Sequence, residues 1–118
     1  MALKNFHKWQ YIKNKSFLEC IAFAQCDFYL DWAITVLFYC AIHLVEMKLR
    51  ELGELDNFEH KERDKLINET SLFKNVKREY FQLKRASNKY RYYCQPTPTR
   101  DYYNQLFEKF LKIEKELL

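Results

Sequence analysis

The stretch DWAITVLFYCAIHLVEMKL, residues 31–49, decides the fold class of this 118-residue chain. It is apolar around almost its whole circumference as far as Val45 and becomes charged beyond it. A helix that is apolar on every side lies at the centre of a bundle, or partly in a core and partly against a partner. The apolar run from Trp32 to Val45 is shorter than the roughly 20 residues that cross a bilayer. The stretch therefore predicts a buried core helix and no membrane span.

The residues that flank this stretch favour a helix with defined ends. Either Asp27 or Asp31 could cap its start, and Gly53, the only glycine, stands where a left-handed residue ends a helix. The chain has two prolines and neither Asn-Gly nor Asp-Gly, so the tight turns of an antiparallel sheet are not expected. The length predicts one domain, residues 1–118.

Apolar spacing predicts further helices around the central one: about residues 3–25, a polar helix at about 59–69, one at about 71–93, and one after QPTPTR. Thr97 could be the N-cap of the last helix, with Pro98 at its first position. The predicted apolar stripes are Phe6, Trp9, Ile12, Phe17, Cys20, Ile21 and Ala24; Leu72, Val76, Tyr80, Leu83, Ser87, Tyr90 and Cys94; and Tyr103, Leu106, Phe110, Ile113 and Leu117. These segments predict an all-α, up-down bundle of four to five helices.

The composition bears on compartment and partners. The four cysteines form no CxxC pair and no apolar leader precedes them, so we expect free thiols in the cytoplasm. The net charge of +4 is compatible with RNA binding but is also common in proteins that bind no nucleic acid. The 10 Phe, 9 Tyr and 2 Trp are more than a small core easily buries. We expect the remainder to form a homodimer interface, with base stacking as the less favoured alternative.

His43 is the polar residue inside the apolar helix. Glu46, three residues on, could hold one ring nitrogen and leave the other for acid/base chemistry. The favoured alternative is a histidine at the rim of the core with a structural hydrogen bond. Cys40 shares its face, but no second matched pair completes a tetrahedral set, so no metal site is expected.

Two basic segments are candidates for contact with nucleic acid. His60 and Arg63, in HKER, share a helix face that suits phosphate recognition, unless the segment is simply a solvated helix. In KRASNKYRYY, cations such as Lys84 and Arg91 alternate with tyrosines such as Tyr92, which is typical of contacts to single-stranded RNA. The favoured alternative there is a core seam with a solvated flank. No cofactor is expected, because a single glycine cannot form a Gly-rich phosphate loop.

Taken together, DWAITVLFYCAIHLVEMKL, EHKERDKLI and SNKYRYY resemble the small prokaryotic HEPN-domain proteins over about residues 25–95. The resemblance implies an up-down bundle, usually dimeric, with the apolar helix near the twofold axis. Many such proteins are metal-independent endoribonucleases or RNA-binding relatives. They often occur in toxin–antitoxin, phage-defence or other mobile-element systems, paired with a nucleotidyltransferase-like protein.

The ribonucleases of that family carry an R-x4–6-H motif, which this chain lacks. The nearest match is Arg50 followed by His60, with nine intervening residues. We therefore expect a non-catalytic, homodimeric HEPN-like module that binds RNA or a protein partner. The expected RNA contacts are Arg63, Lys84, Arg91 and Tyr92, and the expected dimer interface is Trp32, Val36 and Tyr39.

The enzymatic alternative is a metal-independent endoribonuclease. In it, His43 or His60 would be the general base, and Arg63 or Arg91 would stabilise the charged phosphorane.

Overall fold

The computed structural model describes residues 2–20, 26–53, 60–93 and 95–118. These residues form five α-helices: α1 Ala2–Glu19, α2 Leu30–Glu51, α3 His60–Glu69, α4 Lys77–Tyr92 and α5 Arg100–Leu117. Short 3-10 turns, Asp27–Tyr29 and Ser71–Phe73, precede α2 and α4. The described residues contain no β-strand. The predicted all-α helical bundle is confirmed.

Helix α2 lies at the centre of the bundle and packs against α1, α4 and α5. Its buried side chains include Leu30, Ile34, Leu37, Leu44 and Leu49. Full burial of a leucine or isoleucine side chain contributes about 1.5–3 kcal/mol, so this helix supplies much of the stability of the fold.

The region Asp27–Glu51 is also long and apolar enough to cross a bilayer, judged by length and composition, with a mean hydropathy of 1.6 in its most apolar window. It is longer than the Trp32–Val45 run from which the sequence excluded a span. Within the bundle 61% of that window is buried. Its apolar character is therefore accounted for by packing in the core.

Helix α4 runs antiparallel to α5, whereas α2 and α5 begin at the same end of the bundle, where Asp27 pairs with Arg100. Glu79, near the start of α4, accepts a hydrogen bond from Lys112 near the end of α5 at 3.0 Å. At the other end of the pair, the ring of Tyr90 lies 6.2 Å from that of Tyr102. These two contacts give the up-down arrangement of α4 and α5.

The face of α1 that the sequence predicts to be buried is exposed in the structure, and a different face of the helix packs on the core. His7, Tyr11 and Leu18 face the core, whereas Phe6, Trp9, Ile12, Phe17 and Cys20 are exposed. Polar partners on other helices account for this orientation of α1. The Tyr11 hydroxyl donates a hydrogen bond to Glu114 on α5, and Lys15 forms an ion pair with the same carboxylate at 2.5 Å. Ile21 and Ala24 lie outside the described residues.

The start of α2 differs from the prediction, whereas its end agrees with it. Neither predicted aspartate is the N-cap, which is Tyr29 and provides no side-chain hydrogen bond. Asp27 instead forms an ion pair with Arg100 of α5 at 2.5 Å. Gly53 has a φ of 88°, in the left-handed region, as its position after the helix predicted.

Within the seam of α4, Val76, Tyr80, Leu83 and Ser87 are buried as predicted and Tyr90 is half-buried. Leu72 is exposed and its neighbour Phe73 is buried instead. The Ser71–Phe73 segment is a 3-10 turn, whose three residues per turn change the direction of its side chains relative to an α-helix. Cys94, the last predicted seam residue, lies outside the described residues.

Helix α5 begins two residues later than predicted. Thr99 is its N-cap, and the Thr99 hydroxyl accepts the backbone N–H of Tyr102 at 3.1 Å. Thr97 therefore does not cap the helix, and Pro98 is buried before its first residue. The predicted stripe of Tyr103, Leu106, Phe110, Ile113 and Leu117 is buried in full.

Candidate nucleic-acid interface

A cavity of about 420 Å³ lies between the first three turns of α2 and the end of α4. Asp31, Thr35 and Tyr39 stand four residues apart, so they share one face of α2. The antiparallel packing of α4 places its last turn opposite that face. The residues that line the cavity are Asp31, Trp32, Thr35, Tyr39, Tyr90, Arg91 and Tyr92.

Arg91 is the cation of this cavity. Its guanidinium carbon lies 5.4 Å from the centroid of the Tyr39 ring and 4.8 Å from that of Tyr92. Arginine is attracted to the faces of aromatic rings, which hold the guanidinium without neutralising it. Within the described part of the chain Arg91 forms no ion pair. Its charge is thus positioned and remains available to an anionic ligand.

Two further depressions adjoin this cavity. The second, of about 340 Å³, shares Tyr90 with the first and is lined also by Lys89, Tyr102 and residues 95–99. The third, of about 260 Å³, shares Lys89 and Tyr102 with the second and includes Arg85 and Lys109. The three form one track, which we call the α4 track, from the start of α2 round the end of α4 and along α5.

Aromatic rings and cations alternate along the α4 track. The Lys89 ammonium lies 5.5 Å from the centroid of the Tyr90 ring and 5.9 Å from that of Tyr102. Burial, with a smaller contribution from Tyr102, raises the pKa of Tyr90, so its hydroxyl stays protonated near neutral pH. Among the described residues that line the track, Asp31 carries the only carboxylate.

Arg63 lies in the interior of the bundle. It is 7% exposed, and its Nε donates a hydrogen bond to Glu46 at 2.8 Å. Burial raises the pKa of the neighbouring Tyr80 hydroxyl, and the Arg63 charge opposes that rise. A buried arginine paired in this way holds α3 against α2 and is poorly placed for a phosphate.

Lys84 also has an intramolecular partner. It forms an ion pair with Asp64 of α3, and both side chains are only partly exposed. Of the four residues expected to contact RNA, the structure brings together Arg91 and Tyr92, and it places Arg63 and Lys84 in separate ion pairs.

His43 faces another histidine. The Nδ1 atoms of His43 and His7 are 2.9 Å apart, within hydrogen-bond distance. His7 is buried and His43 half-buried. The expected partner, Glu46, binds Arg63 instead. His60 is the first residue of α3, and its side chain is outside the described part of the structure.

The three residues predicted to form a dimer interface differ in their surroundings. Trp32 is 62% exposed, while Val36 and Tyr39 are partly buried against the core. Trp32 and Tyr39 both line the cavity.

No site predicted from the sequence includes Asp31, Thr35 or Tyr102. One signal was present, since the i, i+4 spacing of Asp31 and Thr35 places two polar residues on one face of an apolar helix. The involvement of Tyr102 depends on how α4 and α5 pack, which no local pattern predicts.

In the described part of the chain, no group of three or more His, Cys, Asp or Glu residues is arranged to hold a metal ion. Comparison with protein-family models, with curated proteins and with solved structures found no match to this chain.

Proposed function

We propose that this chain is a non-catalytic, HEPN-like module that binds single-stranded RNA along the α4 track. One observation carries the proposal: Tyr90 joins the first depression to the second, and Lys89 and Tyr102 join the second to the third, so that cations and aromatic rings alternate along one path. Single-stranded RNA is bound in grooves where cations follow the phosphates and bases stack on aromatic rings.

Binding of this kind has a distinct dependence on salt. Each phosphate neutralised by a lysine or arginine releases counterions, and log K falls with log salt concentration by about 0.7 per contact for a single strand. Arg91 and Lys89 are the cations best placed for such contacts, because aromatic rings hold both of them. Stacking on an exposed ring such as Tyr92 adds about 1–3 kcal/mol per base.

The test is fluorescence anisotropy with a labelled, unstructured RNA of about 12 nucleotides, titrated between about 50 and 200 mM salt. Arg91→Ala should weaken binding and reduce the salt slope by about 0.7. The matched control is Arg78→Ala, which removes an exposed arginine of the same helix that lines none of the three cavities. Equal effects of the two substitutions, or no binding at low salt, would contradict the proposal.

The endoribonuclease alternative is tested in the same samples. Arg63, one of the cations assigned to that reaction, would have to leave Glu46 to reach a phosphate. We therefore expect the RNA to remain intact in the presence of EDTA. Cleavage that is lost in His43→Ala and retained in Lys84→Ala would instead identify an enzyme.

A second observation supports self-association. Phe6, Trp9 and Phe17 on α1 are exposed by 58%, 68% and 50%. At about 200 Å² for an aromatic side chain, they leave roughly 350 Å² of aromatic surface in water. The largest apolar patch of a monomeric protein commonly measures about 300–600 Å² and is often functional, and a standard dimer buries about 800 Å² per partner. This face can thus supply the apolar centre of a homodimer interface.

The positions of these aromatic residues suit a symmetric pair. Phe6 and Phe17 are three helical turns apart on one face of α1, and Trp9 lies beside that face. In an antiparallel α1–α1 pairing, Phe6 of each copy would lie opposite Phe17 of the other, as a twofold interface requires. Lys13 is on the same face, and its long stem can cover apolar surface while its ammonium stays in water.

Analytical ultracentrifugation distinguishes this face from the Trp32 face predicted from the sequence. Trp9→Glu should convert a dimer to a monomer, whereas Lys8→Glu, an exposed position in the same turn, should leave the dimer intact. Dissociation by Trp32→Glu and not by Trp9→Glu would favour the interface on α2. A monomeric wild-type chain would contradict both.

A further inference from the structure

Asp31 is an acidic residue at one end of the α4 track, whose other charged side chains, among the residues that the structure describes, are all cations. A carboxylate in the path of RNA repels the phosphates unless it binds a group that donates hydrogen bonds. Within the described part of the chain Asp31 forms no ion pair, although Arg91 lines the same cavity. The arrangement therefore leaves an acceptor next to aromatic walls.

The Asp31 carboxylate is held in place by the backbone. Its Oδ1 accepts the N–H of Trp32 at 2.8 Å, which uses one of four lone-pair positions. Thr35, one turn further, donates its hydroxyl to the Asp31 carbonyl at 3.3 Å. Oδ2 and the second lone pair of Oδ1 remain for a ligand in the cavity.

The neighbouring side chains suit a flat ring. Trp32 follows Asp31 directly and is 62% exposed, so its indole can stack on a ligand that reaches the carboxylate. Tyr39, Tyr90 and Tyr92 form the other aromatic walls. A volume of about 420 Å³ lies in the range of small-molecule sites, large enough for a base with its sugar.

The hydrogen-bonding edges of the four bases differ in what they offer a carboxylate, which only accepts. Guanine presents two adjacent donors, N1–H and the N2 amino group. Adenine and cytosine present one amino group beside a ring nitrogen that accepts, and uracil presents one N–H between two carbonyl oxygens. Guanine alone matches both oxygens of a carboxylate without placing an acceptor against them.

We infer that the Asp31 cavity binds an unpaired guanine of the RNA, with the base stacked on Trp32 and its N1–H and N2 amino group donating to the Asp31 carboxylate. This inference rests on the proposed RNA-binding function and adds a base preference to it. Arg91 then contacts the phosphate of the same nucleotide. The α4 track continues the binding of the strand without a base preference.

A methylated ammonium group would be the other natural ligand for aromatic walls beside a carboxylate. The guanidinium of Arg91 argues against it, because it already lies against the faces of Tyr39 and Tyr92. A second cation in the same cavity would be repelled, whereas a neutral base attached to an anionic phosphate complements both charges.

The experiment compares fluorescently labelled uridine-rich oligomers that differ at one central position: guanosine, inosine, adenosine or uridine. Inosine lacks only the N2 amino group of guanosine. We expect guanosine to bind about tenfold more tightly than inosine, the effect of one hydrogen bond to a charged group, and more tightly than the other two.

Asp31→Asn is the informative variant. The asparagine oxygen can still accept the Trp32 N–H, but an amino group replaces Oδ2 and donates where the base also donates. The guanosine preference should fall to about one while the salt slope is unchanged. The control is Asp101→Asn, an exposed aspartate in the first turn of α5. Thermal unfolding of both variants shows that each is folded.

The outcomes separate the two proposals. Equal binding of all four oligomers, or a preference that survives Asp31→Asn, would overturn the guanine site and leave RNA binding intact. Failure of every oligomer to bind at low salt would overturn both. Binding of tetramethylammonium in place of the oligomers, measured by calorimetry, would assign the cavity to a methylated cation.

Discussion

At the scale of single residues, the interior contains a charge pair whose two partners come from different helices. Arg63 of α3 and Glu46 of α2 are both buried, and their side chains meet at 2.8 Å. Forming such a pair in the interior costs free energy, because both charged groups lose their contact with water. Loss of one partner then leaves the other charged and unpaired in the core.

Arg63→Leu should therefore destabilise the fold by about 3–5 kcal/mol. Urea unfolding followed by circular dichroism measures the change. Lys84→Leu is the comparison, because it breaks the partly exposed pair with Asp64 and should cost no more than about 1 kcal/mol. Similar losses for the two variants would show that burial does not determine the cost.

Cys40 provides a second test at this scale. Burial, together with the nearby charge of Glu114, raises the pKa of its thiol to about 12, although Lys15 opposes the rise. Only the thiolate reacts with alkylating agents. At about pH 8 iodoacetamide should modify the exposed Cys20 of the folded protein and leave Cys40 unmodified, as peptide mass spectrometry can show. Comparable modification of Cys40 without denaturant would contradict its burial.

At the scale of secondary structure elements, α1 shows that periodicity alone does not identify the buried side. Phe6, Trp9 and Phe17 follow a helical spacing, yet this face is exposed. The opposite face is buried because His7 meets His43 and Tyr11 meets Glu114. Three exposed aromatic residues on one helix face are the reason for proposing that this face contacts a second copy.

The start of α5 offers a direct comparison of two threonines. Thr99→Ala should cost about 1 kcal/mol, because the backbone N–H of Tyr102 loses its acceptor. Thr97→Ala, at the cap position predicted from the sequence, should change the free energy of unfolding by less than about 0.5 kcal/mol. Urea denaturation of both variants is the measurement. The opposite order would place the helix start at Thr97.

At the scale of the whole molecule, the bundle buries several tyrosines that are held in their protonated form. Burial raises the pKa of Tyr11, Tyr80 and Tyr103, the last to about 12, and the Glu114 carboxylate raises that of Tyr11 further. In the unfolded chain these hydroxyls ionise near pH 10. Above about pH 10 the folded state therefore binds more protons than the unfolded state. The free energy of unfolding keeps its full value below that pH and falls as the pH rises above it.

Each of these tyrosines should lower the free energy of unfolding by about 1.4 kcal/mol per pH unit between its unfolded and folded pKa. Urea unfolding at about pH 9 and about pH 11 measures this slope. Tyr103→Phe should remove one such contribution from the slope, while Tyr11, Tyr80, Tyr90 and the Cys40 thiol, whose pKa values are also raised in the folded state, keep theirs. A stability that does not change over this range would contradict the raised pKa values.

One part of the candidate site could be predicted from the sequence, and another part depended on the tertiary structure. Arg91 and Tyr92 were predicted to contact RNA from the alternation of cations and aromatic residues in α4. Asp31 and Tyr102 were not predicted, because they reach the α4 track from α2 and α5. Which cations remain available also depended on packing, since Lys84 pairs with Asp64 and Arg63 with Glu46.

By itself the sequence determined the all-α class, the central position of α2, its end at Gly53 and the buried stripe of α5. These features follow from local chemistry: the 3.6-residue period of apolar side chains, and the positive φ that glycine accepts. Only the tertiary structure decided which face of α1 is buried, which threonine caps α5 and which side chains line the cavity beside Asp31. Those outcomes depend on contacts between residues that are distant in sequence, and no periodic pattern of residues in the sequence indicates such contacts.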